Sequence, residues 1–331
     1  LAEVQPEIAK HLQGKHDQKS HARGGRQQQR RAEIIERGDT KRPLPRDAQG
    51  RVINPEATGG YKAGIPETVV FKGETLTPEH SLWHHLEGNP KDGYTITAER
   101  SAVHRKIVED ATRGVPRSAD PTFYMLGGGP AAGKTTAVKS GLAGTPEKGK
   151  AVEINADDIK GGLPEYDRMR FSGNDDDFFN AAAFSHEESS YLAKQVQKAA
   201  FENRQDVILD GTGDSKYATL EKKVGQARAA DYKVRAVYAT VSTAEAVRRS
   251  NDRSLKPEER RFVPEAVVRG THRDVSAVFP EASRRGLFDS ARLIDTTVRD
   301  QAVLIGETDA NGTFRVVDQG RWNDFLAKGS E

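Results

Sequence analysis

The sequence predicts an α/β fold: a twisted, mostly parallel sheet flanked by helices, with a helical or disordered amino-terminal extension. Three observations predict it. From about Asp120 onward, apolar runs of strand length alternate with stretches of helical spacing, as strand–helix–strand units with parallel strands require. The run Phe123-Tyr124-Met125-Leu126 delivers the chain into Gly128-Gly129-Pro130-Ala131-Ala132-Gly133-Lys134-Thr135, which satisfies G-x-x-x-x-G-K-[ST] and makes the fold P-loop NTPase-type. Residues 1–66, by contrast, are rich in Gln, Arg, Gly, Asp and Pro and have few apolar anchors.

Along the chain, residues 1–66 read as a mostly disordered basic arm, with one helix expected around Ala32, Ile34 and Ile35. Residues 67–118 read as a helical lead-in packed on the core. In it, Ser81 to Leu86 and Thr97 to Arg113 carry apolar residues at helical spacing, notably Val103, Ile107, Val108 and Ala111. Thr97 is the candidate cap, followed three residues on by Arg100 rather than the Glu of a capping box. His84 and His85 are expected as surface or partly packed rings. Residues 119–331 form the core. Strand Thr122 to Leu126 feeds helix Thr135 to Leu142. Strand Lys150 to Asn155 comes next, then a long helix from Ala181 to Glu202 and strand Val207 to Asp210. Helix Tyr217 to Ala230, strand Lys233 to Val241 and helix Thr243 to Asn251 complete the alternation, with right-handed crossovers. Beyond Leu287 two short strands are expected, Ala291 to Ile294 and Gln301 to Glu307. Asp309-Ala310-Asn311-Gly312 then turns a hairpin into Thr313 to Val317. Trp322 to Leu326 reads as a short helix plugging an apolar face. No internal repeat is evident.

The composition bounds the chemistry. A chain of 331 residues with 35% hydrophobic and 30% charged residues exceeds one ordinary domain and is polar for a globule, so part of it is expected to be extended. With no cysteine, disulfides and thiolate metal sites are excluded. No apolar run approaches a membrane span and the first residues lack a signal-peptide core, so a soluble, cytoplasmic protein without membrane contact is expected. The net charge is +2, but residues 1–50 carry roughly +4, which leaves the remainder slightly acidic. Any attraction to nucleic acid therefore belongs to the arm and is weak.

In such a sheet ligands bind at the carboxyl ends of the strands, where the polar motifs fall. Gly128, Gly129, Pro130, Ala131, Ala132, Gly133, Lys134, Thr135 and Thr136 frame a phosphate cradle, all but Pro130 with a backbone N–H group to offer. Glycine is needed where side chains would block the approach. Lys134 would reach the β/γ-phosphates of ATP or GTP, and the Thr135 hydroxyl would hold Mg²⁺. Asp157 and Asp158 follow the second strand. Either could orient a nucleophilic hydroxyl, Asp158 then serving as a substrate contact; the competing reading is a helix cap. Asp210 closes Val207-Ile208-Leu209 as a Mg²⁺-organising carboxylate does, unless it is an ordinary strand end before Gly211-Thr212-Gly213. Thr212 could touch the substrate. Downstream, Arg248, Arg249, Arg253, Arg260, Arg261, Arg269 and Arg273 offer guanidinium groups for the charge of a transferring phosphoryl. Most are expected on the surface; Arg261 and Arg273 are the candidates.

Four blocks in order, G-G-G-P-A-A-G-K-T-T, I-N-A-D-D-I-K with L-P-E-Y, V-I-L-D-G-T-G, and R-F-V-P with H-R-D-V and G-L-F-D, resemble the zeta toxin kinase family over about Thr122 to Asp295. The resemblance implies an ATP- or GTP-using, Mg²⁺-dependent kinase, whose better-known members phosphorylate UDP-N-acetylglucosamine on its sugar. It implies Lys134 and Thr135 as the P-loop pair, Asp157 as catalytic base, Thr212 as a substrate contact, and Arg261 and Arg273 as phosphate-binding arginines. Two departures bear on the acceptor. Asp210 stands where the family commonly has Glu. The family's helical substrate Glu falls, by spacing, on Lys194; the nearest acids are Glu187 and Glu188, of which Glu187 is the candidate.

Other readings stay open. Asn155-Ala156-Asp157-Asp158-Ile159-Lys160 resembles the N-R-D-D-x-R block of polynucleotide kinases, with Lys160 where arginine is usual. Lys15-His16-Asp17-Gln18-Lys19-Ser20-His21 resembles a motif of phage head-associated proteins, which admits a non-catalytic, nucleotide-binding virion component. His11, His16 and His21 could bind metal only in a non-helical arm. The expected partners are a small-molecule acceptor and, beyond it, an antitoxin or a phage structural protein.

Overall fold

The computed structural model describes residues 25–54, 64–298 and 301–331. Residues 25–36 form a helix, α1, where the sequence places one in the arm. The lead-in that follows is not helical throughout. Two hairpins precede and flank its helices: β1 (Val69–Phe71) with β2 (Glu74–Leu76), and β3 (Leu86–Asn89) with β4 (Gly93–Ile96). The first hairpin turns at Lys72 (φ 51°) and Gly73 (φ 88°), both in the left-handed region that two-residue hairpin loops use. Between the hairpins Ser81–His85 is a 3-10 turn, and after them comes α2 (Ala98–Thr112), capped by Thr97, whose hydroxyl accepts from Arg100 N–H. His84 is buried against the Pro78 carbonyl; His85 reaches Glu165.

The core alternates as expected. In order it comprises β5 (Thr122–Gly127), α3 (Lys134–Lys139), β6 (Val152–Asn155), α4 (Ala156–Gly161), α5 (Pro164–Phe171), α6 (Asp175–Phe184), α7 (His186–Glu202) and β7 (Val207–Asp210). Then follow α8 (Tyr217–Ala229), β8 (Lys233–Thr240), α9 (Thr243–Leu255), α10 (Glu265–Arg284), β9 (Ser290–Asp295), β10 (Val303–Thr308), β11 (Phe314–Val316) and α11 (Gln319–Ala327). The seven-stranded sheet runs β11-β10-β9-β8-β5-β7-β6, parallel from β9 to β6 and antiparallel at β10 and β11. A parallel sheet is covered on both faces, and β5 shows it. Phe123 and Met125 join the cluster under α7, α8 and α10, while Tyr124 and Leu126 join the one under α3 and α9. Phe325 of α11 is buried in the first cluster, edge-on to Phe279 and tilted against Trp322.

Three segments differ from expectation. The long helix is two helices: Asn174 caps α6 by accepting from Asp176 N–H at 2.7 Å, and Ser185, buried, ends α6 and starts α7. α4 and α5 occupy what the sequence left as loop. α10 is a helix of 20 residues despite Pro280 within it.

Candidate active site

The carboxyl ends of β8, β5, β7 and β6 meet at one place. Register pairs Leu126 with Asp210 and Asp210 with Asn155, so two strand spacings, about 10 Å, separate the phosphate loop from the end of β6.

The loop from Gly128 to Lys134 packs closely on the Ala239 backbone and on the side chains of His272 and Thr296. A Cβ at Gly128 (φ +122°) would lie 2.4 Å from the Ala239 carbonyl oxygen, and one at Gly133 (φ +82°) would lie 2.3 Å from Thr296 Oγ1. Only glycine allows this curvature. Ala131 holds a left-handed φ of 58° without being glycine, a strained position of the kind ligand loops keep. The loop is tied from behind. Thr296 Oγ1 donates to the Ala132 carbonyl at 2.6 Å, and His272 Nε2 donates to the Pro130 carbonyl at 3.0 Å. A carbonyl can only accept, so Nε2 carries the proton of a neutral ring. Burial pushes the His272 pKa down to about 4, against the Pro130 hydrogen bond. Gly129, Pro130 and Ala132 sit within this frame, and Thr135 is exposed at the start of α3 with Thr136 beside it.

Lys134 Nζ lies 3.3 Å from the Gly128 carbonyl and 3.5 Å from Asp210 Oδ1. Asp210 Oδ2 accepts from Asn155 Nδ2 at 3.2 Å, and Asn155 Oδ1 accepts from Asp157 N–H at 2.9 Å. Asn155, not either aspartate, is thus the cap of α4, and both acids stand in its first turn. Asp157 Oδ1 takes Lys160 at 3.3 Å and Oδ2 pairs with Arg261. Arg261 in turn lines a small cavity with Pro130, Ala131, Ser250, Arg253 and Val263, which closes the ring back onto the phosphate loop. Asp158 belongs to the same group: burial, then the charges of Asp157 and Asp210, push its pKa up, while Arg261 opposes them. Lys160 is pushed down by burial, against the attraction of Asp157 and Glu187.

The sequence candidates therefore separate. Lys134, Asp210, Asp157, Asp158 and Arg261 come together; Glu187 is partly exposed beside Lys160. Thr212 is exposed, and its carbonyl accepts from Gly128 N–H at 3.2 Å. Arg273 is not brought there: its side chain is 51% exposed and pairs with its neighbour Asp274. It follows His272, and the turn of α10 that points His272 inward points the next residue about 100° away. Asn155, His272 and Thr296 were not singled out from sequence, and Arg253 stood only among the downstream arginines. Of the first three, only Asn155 carried a signal, an N-cap residue directly before the acids.

The arrangement is an anion cradle faced by paired carboxylates, with a lysine on one side and two arginines on the other. It can hold a polyphosphate and present a carboxylate to a second molecule. Residues that would hold Mg²⁺ against the phosphates are Thr135 and Asp210, whose oxygen donors suit that hard cation; among the described residues no cluster of three or more His or acidic side chains has metal-binding geometry. Among the described residues, too, no helix is long and apolar enough to cross a membrane.

The zeta toxin family model matches residues 105–309, from α2 to β10. Solved structures share the fold at low identity. The crystal structure of AvrRxo1-ORF1:-ORF2 with ATP superposes with a TM-score of 0.56 at 20% identity, covering 70% of this chain and 74% of that one. A structure from the PezAT chromosomal toxin–antitoxin system of the human pathogen Streptococcus pneumoniae gives 0.50 at 14% identity, covering 71% and 95%. No curated protein sequence matches the chain. The phage-associated reading gains no support from these comparisons, and the motif that prompted it, Lys15 to His21, lies outside the described residues, as do His11 and His16. With a phosphate loop on β5, acids at the ends of β6 and β7, and a family match spanning them all, the chain belongs to the zeta toxin family of P-loop phosphotransferases.

Proposed function

We propose that the protein transfers the γ-phosphoryl group of ATP or GTP to a hydroxyl of a small nucleotide-linked or sugar acceptor, with Asp157 as the base. The observation that carries this reading is the closed ring Lys134–Asp210–Asn155–Asp157–Arg261 returning to Pro130 and Ala131. Lys134 leaves Asp210 for the β/γ-phosphates, and Arg261 leaves Asp157 for the transferring phosphoryl, which frees the Asp157 carboxylate to take the acceptor proton. Bound Mg²⁺, held by Thr135 and Asp210, would screen the phosphate charge. Asp158, Glu187 and Thr212 flank the acceptor side. That AvrRxo1-ORF1:-ORF2 was solved with ATP supports the donor. That this structure is a two-protein complex and that PezAT is a toxin–antitoxin system support a neutralising protein partner.

The test is γ-labelled ATP offered with UDP-sugars, NAD and 5′-hydroxyl oligonucleotides in turn. Asp157→Asn is expected to bind ATP as the parent does and to lose roughly 10²–10⁴-fold in transfer. Lys134→Ala is expected to weaken ATP binding itself. Transfer that survives Asp157→Asn removes the base assignment, and label appearing only on the oligonucleotide replaces the small acceptor with a polynucleotide.

A further inference from the structure

The family match begins at residue 105, yet α1, residues 25–36, lies against the segment that carries Arg261. Ile34, 4% exposed, packs in one cluster with Phe178, Phe179 and Phe262. Phe262 meets Phe179 edge-on with ring centroids 4.8 Å apart. Arg31, 3% exposed, sets its guanidinium 4.0 Å from the centroid of Phe178 and pairs with Asp175 at 3.0 Å. Gln28 Nε2 donates at 3.0 Å to the carbonyl of Leu255, the last residue of α9. The helix thus holds residues 256–263 at both ends: before them through Leu255 and near their close through Phe262, the neighbour of Arg261. The end of α5 holds the same segment: Arg170 donates to the Glu259 carbonyl at 2.8 Å, and Arg260, at φ 43°, lies over Phe171.

We infer that α1 is a latch for the Arg261-bearing segment: by packing Ile34 into the cluster that buries Phe262, and Arg31 on the Phe178 ring of that cluster, it fixes residues 256–263 so that Arg261 stands over the phosphate loop beside Asp157. Ile34 and Arg31 are then positioning residues, and the inference rests on the proposed phosphoryl transfer. The connection between α9 and α10 has no regular structure across these residues. A guanidinium on such a segment is useful to a transition state only if its freedom has been removed beforehand. The aromatic cluster that removes it is separate from the two clusters that pack the sheet, so α1 can be loosened without emptying the core.

The test uses the full chain with Ile34→Asp, Arg31→Ala and, as the conservative control, Ile34→Val. Trypsin can cut after Arg260 and Arg261; Lys256 is shielded by Pro257. Ile34→Asp and Arg31→Ala are expected to speed cleavage at these two arginines and to lower kcat at least about tenfold with little change in the KM for ATP. Ile34→Val should retain both parental properties, and thermal melting reports that the sheet stays folded. Should Ile34→Asp fail to fold, Arg31→Ala makes the same comparison. Unaltered cleavage overturns the latch, and faster cleavage with unchanged or raised kcat overturns its positioning role. If the parent itself transfers phosphate to no acceptor, the kinase reading fails, and the protease comparison alone then upholds or overturns the latch.

Discussion

Asn155 makes two hydrogen bonds that replacement by alanine removes together: the cap on the Asp157 N–H and the tie to Asp210. Losing an N-cap costs about 1 kcal/mol. In a domain of this size that lowers the melting temperature by only about 2–4 °C. Because the same side chain sets the distance between the two acids, transfer is expected to fall by about 10–100-fold, far more than the stability change explains. Asn155→Asp keeps the cap but sets a carboxylate against Asp210 where Nδ2 donated, in a group whose charges already raise the Asp158 pKa, so it should lose activity and melt below the parent. Equal losses of stability and transfer, measured by calorimetry and the labelled-ATP assay, would reduce Asn155 to a cap alone. The acids were legible in the sequence because a strand-ending carboxylate beside a P-loop has a reason to be there. Asn155 was legible only as a helix cap; its tie to Asp210, a link between β6 and β7, is encoded by no local pattern. His272 and Thr296 were hidden for the same reason: each touches the phosphate loop across more than 100 residues of chain.

Where helices meet, the determining feature is a buried ionic cluster that stitches α2 to α5 and α7. Arg100 pairs with Glu188 at 2.6 Å and with Glu165 at 2.9 Å; His104 and Ser81 also bond Glu188, and His85 bonds Glu165. Replacing one partner strands the others without water, at a cost of about 3–5 kcal/mol. Arg100→Met is accordingly expected to lower the melting temperature far more than Arg248→Met, whose partners Glu245 and Asp252 lie on the surface. Comparable shifts in the two variants would mean that the cluster gives no net support. This contact also explains which helices could be read. α2, α7 and α8 could be read as helices, although α7 turns Glu188 inward, an acid where the pattern asks for an apolar residue. The break at Ser185 was invisible because both flanking segments favour helix. α10 had the spacing, with Val268, His272, Val275, Phe279 and Ala282 all buried on one side, and was masked by Gly270, Pro280 and its arginines.

The centre of the sheet was legible, since β5 is a fully buried apolar run and β7 and β8 are largely apolar beside it, whereas the hairpins of the lead-in rest on three- and four-residue strands that mix exposed polar and apolar residues. Strand order was not, because β5 lies between β7 and β8 through crossovers that only the completed core selects. That completed core sets how the protein answers acid. His272 is neutral in the fold, its pKa pushed by burial from 6.5 to about 4 despite the Pro130 hydrogen bond. As pH falls through this window the unfolded chain takes up the proton first, so stability present above 6.5 is lost on the way to about 4, by as much as about 3 kcal/mol. Glu165 follows at lower pH. Burial pushes its pKa up, but the hydrogen bond from His85 and the charge of Arg100 outweigh this and hold it at about 2, against 4.5 for the free side chain. The unfolded state again protonates first, and the ionic cluster releases its contribution between 4.5 and about 2, with Glu188 displaced in the same direction. The melting temperature should therefore decline in two stages below pH 6.5. His272→Gln can still donate to the Pro130 carbonyl but cannot titrate, so it is expected to abolish the first stage and leave the second. A parent curve that stays flat from pH 6.5 to 4 would mean that His272 takes up its proton in the fold as readily as in the unfolded chain, and burial then does not hold it neutral behind the phosphate loop.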